Sequence, residues 1–450
     1  MPPKKVKDAT PKKLTLDEQL QILRKHADQL EEEDAEWWNN LTLEEQRMPK
    51  IELHAHLSGS LPLRTVIQLL ELHRKKYRQI QDDYETLVEY RDGIQVFDVF
   101  PLIHKLLSTP EAIEIAMRGV IKSFAEEACV YLEIRTTPKE TKTMNKEIYL
   151  RACLRAIKAA KKEFTNIKVF LIVSVDVSET NIAAAASILE IVHKLNKETN
   201  LIVGIDVCGK PIYTTSHLLP VLMLARKFHG LGVTAHLGEL PEIVPDAWKI
   251  LKFVPDRIGH GTYLMDNEDM VDHILQKNIL FEICLTSNQQ CGTVQNIEDT
   301  HAKFWRNRGN PIAICTDDQG IFPKCSIMRE YKKAMEALNL TLDDMIKINK
   351  DAMDASFAKL RNVTDLSDIY KHIELNYVLE FENVKNFREM TLLKAARAID
   401  PHCKPSDAIY TITASIHKEA QLRQARRALE AEELVARVEE TPITGSIRER

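Results

Sequence analysis

Residues 50–57 read KIELHAHL, a short apolar run that ends in two histidines. A run of this length, rich in branched residues, is typical of a buried parallel strand. Seven similar runs follow: CVYLEIRTT (129–137), VFLIVSVDV (169–177), LIVGIDVCG (201–209), GVTAHLGE (232–239), RIGHGT (257–262), LFEICLTSN (280–288) and PIAICTDD (311–318). Helical periodicity fills the gaps, so strand and helix alternate eight times. The sequence therefore predicts an α/β fold, a (β/α)₈ TIM barrel, with extra helices in the long gap between the first two strands.

Composition divides the 450-residue chain into three segments. Residues 1–47 form a charged N-terminal segment that is partly helix-like, and residues 48–358 carry the barrel pattern. Residues 359–450 are predicted to be a helical C-terminal extension with a disordered end. Its run HKEAQLRQARRALEAEELVARVEE is compatible with one long helix, either packed on the barrel or used for self-association.

Charge and composition argue against several classes of protein. The net charge of −5 offers no basic field for nucleic acid or an anionic membrane, so neither is an expected partner. No apolar run is long enough to cross a bilayer, and the eight cysteines are scattered without a CxxC pair. These features predict a cytoplasmic protein with reduced thiols. The PKKVK run near the N-terminus is interpreted as a solvated tail, with nuclear import as the alternative.

Histidines and carboxylates collect at the carboxyl ends of the predicted strands, which all face one mouth of a barrel. His54 and His56 are two residues apart in an extended strand and therefore point to the same face. With His236 and Asp317 they make three imidazoles and one carboxylate, a set suited to one Zn²⁺ per chain. Such an ion would activate water as a nucleophile near neutral pH. The donors also suit another divalent ion, and an isolated HxH pair is more often structural.

Three further polar residues lie at or near the ends of predicted strands. Glu239 is interpreted as a general acid, although a glutamate at this position is also common as an exposed loop residue. His260, between glycines in RIGHGT, is predicted to hold the water or take its proton, with a buried core histidine as the alternative. Asp318 is predicted to align the water, because adjacent residues of a strand face opposite ways and Asp317 takes the ligand position. A polar turn after the strand is the alternative for this acidic pair.

The run GIDVCG holds two residues with other predicted roles. Asp206 lies inside an otherwise apolar strand, and a buried carboxylate requires a partner, so it is interpreted as a structural anchor. Gly209 ends the same run, where the absence of a side chain would let the backbone approach a flat ring.

The segments KIELHAHLSGS, GIDVCG, TAHLGE, RIGHG, LTSN and CTDD occur in the order found in the adenosine deaminase superfamily, which the chain resembles over residues 48–358. Within it, LEIRTTPK, ICLTSN and CTDDQGIF are most similar to the N6-methyl-AMP deaminase branch. The resemblance implies that zinc is bound by His54, His56, His236 and Asp317, that Glu239 donates a proton to the purine, and that His260 and Asp318 position and activate the water. It also implies a nucleotide site lined by the Gly209 backbone and by His56, Ser58, His104, Thr136, Thr137, Pro138, Lys139, Asp176 and Asp318.

Three positions depart from the family pattern. Adenosine deaminases have an aspartate where this chain has Ser58, and loss of that negative charge favours a 5′-monophosphate. Lys139 stands where the branch typically has arginine, which keeps the charge but loses the bidentate fork. Lys210 follows Gly209, where the family usually has an acidic residue, and would either attract phosphate or face solvent.

The sequence thus predicts zinc-dependent hydrolytic deamination of a 6-aminopurine nucleoside 5′-monophosphate, most simply N6-methyl-AMP to IMP and methylamine. The zinc-binding residues do not separate this substrate from AMP or adenosine. A dinuclear amidohydrolase is an alternative, although residues 169–177 and 201–209 contain no lysine that could bridge two ions. A catalytically silent barrel that serves as a binding or scaffold protein is another. A cytidine-deaminase type of site would need a close cysteine pair beside an HxE motif, and the sequence has neither.

Overall fold

The computed structural model describes residues 15–74 and 99–378 of the chain. The PKKVK run and the C-terminal run proposed for self-association lie outside the described residues. Within these residues no helix combines the length and the apolar character that crossing a membrane requires. The cysteines in this part of the chain are free thiols, and most of them are buried.

Eight parallel strands form one sheet in the order β1 to β8. They are β1 Lys50–His56, β2 Cys129–Thr136, β3 Lys168–Asp176, β4 Ile202–Cys208, β5 Gly232–Leu237, β6 Arg257–His260, β7 Leu280–Ile283 and β8 Ile312–Ile314. The sheet closes through a parallel bridge between Ala55 and Asp317. There the His56 amide donates to the Asp317 carbonyl at 3.0 Å, and the Asp317 amide donates to the His54 carbonyl at 2.8 Å. The predicted (β/α)₈ barrel is confirmed.

The strands and helices together follow the predicted alternation. The helices are α1 Leu16–Asn39, α2 Leu43–Arg47, α3 Leu63–His73, α4 Phe100–Leu106, α5 Pro110–Glu126, α6 Lys146–Glu163, α7 Ile182–Thr199, α8 Leu219–His229, α9 Val244–Phe253, α10 Glu268–Lys277, α11 Leu285–Gln290, α12 Ala302–Asn307, α13 Ile327–Leu338, α14 Leu342–Asp354, α15 Phe357–Leu360 and α16 Ser367–Val378. Helices α3, α4 and α5 lie in the gap between β1 and β2, as predicted for that gap. Side chains at several helix starts accept a backbone N–H, for example Asn145 at α6 and Asn181 at α7.

The run at residues 280–288 is only partly a strand, which corrects the sequence prediction. Strand β7 ends at Ile283, and α11 begins at Leu285. The change is stabilised by Glu330 of α13, whose buried carboxylate accepts the Thr286 amide at 3.0 Å and also the Thr286 hydroxyl. A carboxylate at a helix N-terminus is favourable, and the turn carries the two residues that follow Thr286 towards the barrel mouth.

Helix α15 packs across the amino-terminal end of the barrel. The Phe357 ring lies so close to Gly204 and Gly232 that a Cβ at either glycine would fall 2.2 Å from it. The Arg257 guanidinium stacks over the same ring at 3.6 Å from its centroid. This end of the barrel is therefore filled, and the carboxyl ends of the strands remain as the place for a site.

Candidate functional site

Four side chains from three distant parts of the chain meet at the mouth of the barrel. His54 and His56 come from β1, His236 from β5, and Asp317 from the turn after β8. One ligand atom from each lies within 4.8 Å of all the others. Nε2 of His56 is 3.3 Å from Nε2 of His236 and 3.4 Å from Oδ1 of Asp317. The sequence predicts this convergence, and the structure brings these four residues together.

The arrangement fits a divalent cation. His54 is fully buried, and its Nε2 has no hydrogen-bond partner among the described residues, although it faces Asp317 Oδ1 at 3.3 Å. Burial lowers the pKa of His54, but Asp317 and Glu282 outweigh it and raise the pKa to about 9. The carboxylates thus favour positive charge at this point. The three imidazole nitrogens and the Asp317 carboxylate form a typical donor set for zinc, with a further coordination position left open for water.

Carboxylates behind the histidines hold the rings in place. Nδ1 of His54 lies 2.7 Å from Oε2 of Glu282, and both side chains are fully buried. Nδ1 of His236 lies 3.2 Å from Oδ1 of Asp206 and 3.1 Å from the Val207 carbonyl. These contacts turn Nε2 of each ring towards the other ligands. The structural anchor inferred for Asp206 therefore has a specific partner, His236.

The Asp317 backbone adopts a left-handed conformation with φ of 62°, which is uncommon for a residue with a side chain. Its Oδ2 accepts a hydrogen bond from the Ser287 hydroxyl at 2.7 Å. Burial raises the pKa of Asp317, but the hydrogen bond and positive charge of His54 outweigh it and hold the pKa well below its usual range. Asp317 is therefore ionised, as a metal ligand must be.

Two of the predicted catalytic residues lie beside this cluster. Nε2 of His260 is 3.6 Å from Oδ2 of Asp317 and 3.9 Å from Oε2 of Glu239. His260 also has a left-handed backbone, with φ of 57°, and its Nδ1 lies 3.3 Å from the Asn288 amide nitrogen. Burial lowers the pKa of His260 well below its ordinary value, so the ring is neutral near pH 7. Burial also raises the pKa of Glu239, to about 7, which makes it a usable proton donor.

Asp318, the third predicted catalytic residue, is packed directly against Gly59. Its Oδ1 is buried without a hydrogen-bond partner in the described chain, and a Cβ on Gly59 would fall 1.5 Å from it. Burial and the neighbouring Asp317 raise the pKa of Asp318 well above its usual range. An unpaired polar atom at a mouth of this kind is available to a ligand or water.

Substituting Gly59 by alanine should displace the Asp318 carboxylate, because the new methyl group has no room beside it. We expect kcat to fall by about 10²-fold, the scale of a misplaced catalytic group, while the bound metal stays at one ion per chain. Steady-state kinetics and metal analysis test this. Gly309→Ala is the control. Gly309 has a positive φ of 77° but open space where a Cβ would lie, so this substitution should lower the stability and leave kcat unchanged. Wild-type kcat in Gly59→Ala would contradict the role of Asp318.

Four of the predicted substrate residues form one group at the barrel mouth. Lys139, Asp176, His104 and Gly209 lie together: Nζ of Lys139 is 3.8 Å from Oδ2 of Asp176, and a Cβ on Gly209 would be 3.0 Å from Oδ1 of Asp176. Burial, and then Lys139, lower the pKa of His104 to about 4, whereas Asp176 opposes this shift. His104 is thus a neutral donor or acceptor near this pair.

An open cleft of about 280 Å³ adjoins this group, and Thr137, Pro138, Lys139 and Asp176 line it. The hydroxyl of Thr136 lies instead 2.8 Å from the Tyr149 hydroxyl on α6, so its side chain is directed to a helix and away from the cleft. Ser58 is half-buried in the turn after β1, next to Gly59. The structure therefore places most of the predicted substrate residues along one rim.

Four residues that hold the cluster are not among the predicted site residues: Arg135, Glu282, Ser287 and Asn288. Ser287 and Asn288 contact Asp317 and His260, but the sequence placed them in a strand. Arg135 and Glu282 are charged residues inside the apolar runs LEIRT and LFEIC. That signal could have been used, because a buried charge requires an opposite charge nearby.

Residues 49–372 match the family described as adenosine deaminase. The adenosine deaminase-like protein of Caenorhabditis elegans is 43% identical over 332 residues, which cover 74% of this chain and 85% of that protein. The N6-methyl-AMP deaminase of Danio rerio is 35% identical and is covered over 91% of its length, with 70% of this chain aligned. The solved structure of Arabidopsis ADAL complexed with IMP superposes with a TM-score of 0.65 at 30% identity, over 74% of this chain and 96% of that one. Sequence and fold together show that the chain belongs to the adenosine deaminase family of hydrolytic deaminases.

Proposed function

We propose that this protein is a zinc-dependent deaminase of a 6-aminopurine nucleoside 5′-monophosphate, with N6-methyl-AMP as its preferred substrate. The observation that carries the proposal is the convergence of His54, His56, His236 and Asp317 close to a half-buried Glu239. When bound there, zinc supplies Lewis-acid activation of water at neutral pH. The rest of the chemistry is assigned to side chains of this chain.

The side chains at the mouth have complementary roles in this proposal. Asp318 and His260 orient the attacking water and take up its proton: Nε2 of His260 lies 3.6 Å from Oδ2 of Asp317, and one buried oxygen of Asp318 has no partner in the described chain. Glu239 protonates N1 of the purine as the water oxygen bonds to C6. The proton taken from water passes to N6, the C6–N6 bond breaks and methylamine leaves, while the C6 hydroxyl returns a proton to the Glu239 carboxylate and a 6-oxopurine nucleotide remains. An unsubstituted amine would leave as ammonia by the same steps.

The choice of a nucleotide rests on the rim that holds Lys139 and His104. Lys139 and Lys146 place two positive charges beside the cleft, which is also lined by Asp176 and Glu179, and Ser58 carries no charge that would repel a phosphate. The Arabidopsis relative complexed with IMP, a 6-oxopurine monophosphate, supports the same class of ligand for this chain. The names of the animal relatives support N6-methyl-AMP over AMP.

The direct test compares N6-methyl-AMP, AMP, adenosine and N6-methyladenosine as substrates, with methylamine and ammonia both measured. We expect the highest kcat/KM for N6-methyl-AMP and release of methylamine from it. Lys139→Ala should raise KM for the nucleotides by about 10- to 100-fold, the range for a lost charge-assisted contact, and leave the nucleosides unchanged. Lys142→Ala, an exposed lysine in the same loop, is the control. Equal kcat/KM for nucleoside and nucleotide would refute the monophosphate assignment.

The pKa of Glu239 predicts how activity depends on pH. The acid must be protonated, and burial raises its pKa to about 7, so the active form is present below that pH and is lost above it. We expect kcat/KM to fall about tenfold per pH unit on the alkaline side. A profile from pH 5 to 9 measures this limb. A rate that stays constant up to pH 9 would show that Glu239 is not the proton donor.

A further inference from the structure

Arg135 is the second-last residue of β2, near the carboxyl end of the strand, and its side chain is fully buried. Its Nη2 donates to Oε2 of Glu282 and to the Leu53 carbonyl, each at 2.7 Å. Its Nη1 forms an ion pair with Oδ1 of Asp206 at 3.4 Å, without a hydrogen bond. One guanidinium therefore joins two carboxylates that come from β7 and β4.

These two carboxylates are the partners of two candidate metal ligands. The Glu282 oxygen that accepts from Arg135 is the same Oε2 that lies 2.7 Å from Nδ1 of His54. The Asp206 oxygen paired with Arg135 is the same Oδ1 that lies 3.2 Å from Nδ1 of His236. The contacts therefore form one continuous chain from the first histidine through Arg135 to the second.

We propose that Arg135 is a positioning residue that couples the orientations of His54 and His236 and thereby sets the affinity of the site for its metal ion. The inference rests on the metal site proposed above. A planar guanidinium presents two nitrogens at a fixed separation, so a shift of one carboxylate is transmitted to the other. Partners behind metal-bound histidines fix ring orientation and commonly contribute a factor of about 10 to 100 to metal affinity.

Arg257 provides a matched control within the same barrel. It is also a fully buried arginine, and its Nε donates to Glu282 at 2.6 Å. It binds the other oxygen, Oε1, and its Nη1 donates to Glu133 at 2.6 Å, towards the filled end of the barrel. Loss of Arg257 removes a buried charge of the same kind and one donor to Glu282, but the contacts that join His54 to His236 through Arg135 do not pass through it.

The experiment measures the Kd for Zn²⁺ by competition with a chromophoric chelator in the full-length apo protein. We expect Arg135→Lys to raise the Kd by about 10- to 100-fold and Arg257→Lys by less than about threefold, although both lower the Tm. Lysine retains the charge but offers a single nitrogen, so it cannot hold both carboxylates. An equal change in Kd for the two variants overturns the inference and leaves Arg135 a purely structural residue.

A charge-balanced pair covers the case in which Arg135→Lys does not fold. Arg135→Gln combined with Asp206→Asn removes one positive and one negative charge together. We expect the Kd of the double variant for Zn²⁺ to match that of Asp206→Asn alone, because Asp206→Asn already breaks the link between His236 and Arg135. A further rise in Kd on adding Arg135→Gln would contradict the coupling. Wild-type protein that binds no zinc would refute the proposed function instead, so the two failures are distinguishable.

Discussion

Glu239→Gln should reduce kcat by about 10³- to 10⁴-fold, near the upper range for loss of a general acid. Glutamine keeps the shape of the side chain but cannot transfer a proton to the purine ring. The carboxylate lies 3.9 Å from His260 and outside the group of four candidate ligands, so the metal should remain at one ion per chain. Single-turnover kinetics and metal analysis of the same preparation measure both quantities.

Glu242→Gln is the matched control for this variant. Glu242 lies three residues further along the chain and is exposed to solvent, so its substitution should leave kcat unchanged. If Glu239→Gln retained near wild-type turnover, the proton would have to come from another group. If it lost the metal as well, Glu239 would be a ligand and not an acid.

His236→Gln should abolish both metal binding and turnover. The variant removes one of the four converging donors and leaves Asp206, a buried carboxylate, without its imidazole partner. We expect the metal content to fall from one ion to below about 0.1 per chain after dialysis, and kcat/KM to fall by at least about 10⁴-fold, since the ion generates the nucleophile.

His193→Gln serves as the comparison, because His193 is an exposed residue of α7 outside the group of converging donors. It should keep both metal and activity. Chelation of the wild-type protein should reproduce the loss seen in His236→Gln, and added Zn²⁺ should reverse it only in the wild type. Full activity of metal-free protein would refute the metal-dependent chemistry.

Motifs at the strand ends predict the candidate metal ligands and catalytic residues. The residues that hold these side chains in place are revealed only by contacts inside the barrel. The motifs HAH, TAHLGE and CTDD predict site residues because a side chain at the carboxyl end of a barrel strand lies at the mouth of the barrel. Arg135 and Glu282 each stand out as a charge within an apolar run, but they come from β2 and β7, and nothing local in either run indicates that these two residues pair with each other. Their pairing through Oε2 depends on how the closed sheet stacks its interior side chains.

Helix α11 shows a second limit of sequence reasoning. The run LFEICL has the composition of a strand, and local propensity does not show that the strand ends before Cys284 and not at the polar residues that follow it. The turn is stabilised by Glu330, which lies more than forty residues away in sequence and binds Thr286. A long-range partner of this kind overrides local preference, and it places Ser287 and Asn288 beside Asp317 and His260.

The sequence alone determined the barrel, through eight alternations of strand and helix, and it determined which histidines and carboxylates face the mouth. It did so because periodicity and strand-end position are local properties of the chain. Tertiary structure alone decided how the site is held: the bridge that brings Asp317 to β1, the Asp318 carboxylate against Gly59, and the chain of contacts from His54 through Arg135 to His236. Those features depend on closure of the sheet, which brings residues far apart in sequence within ångströms of each other.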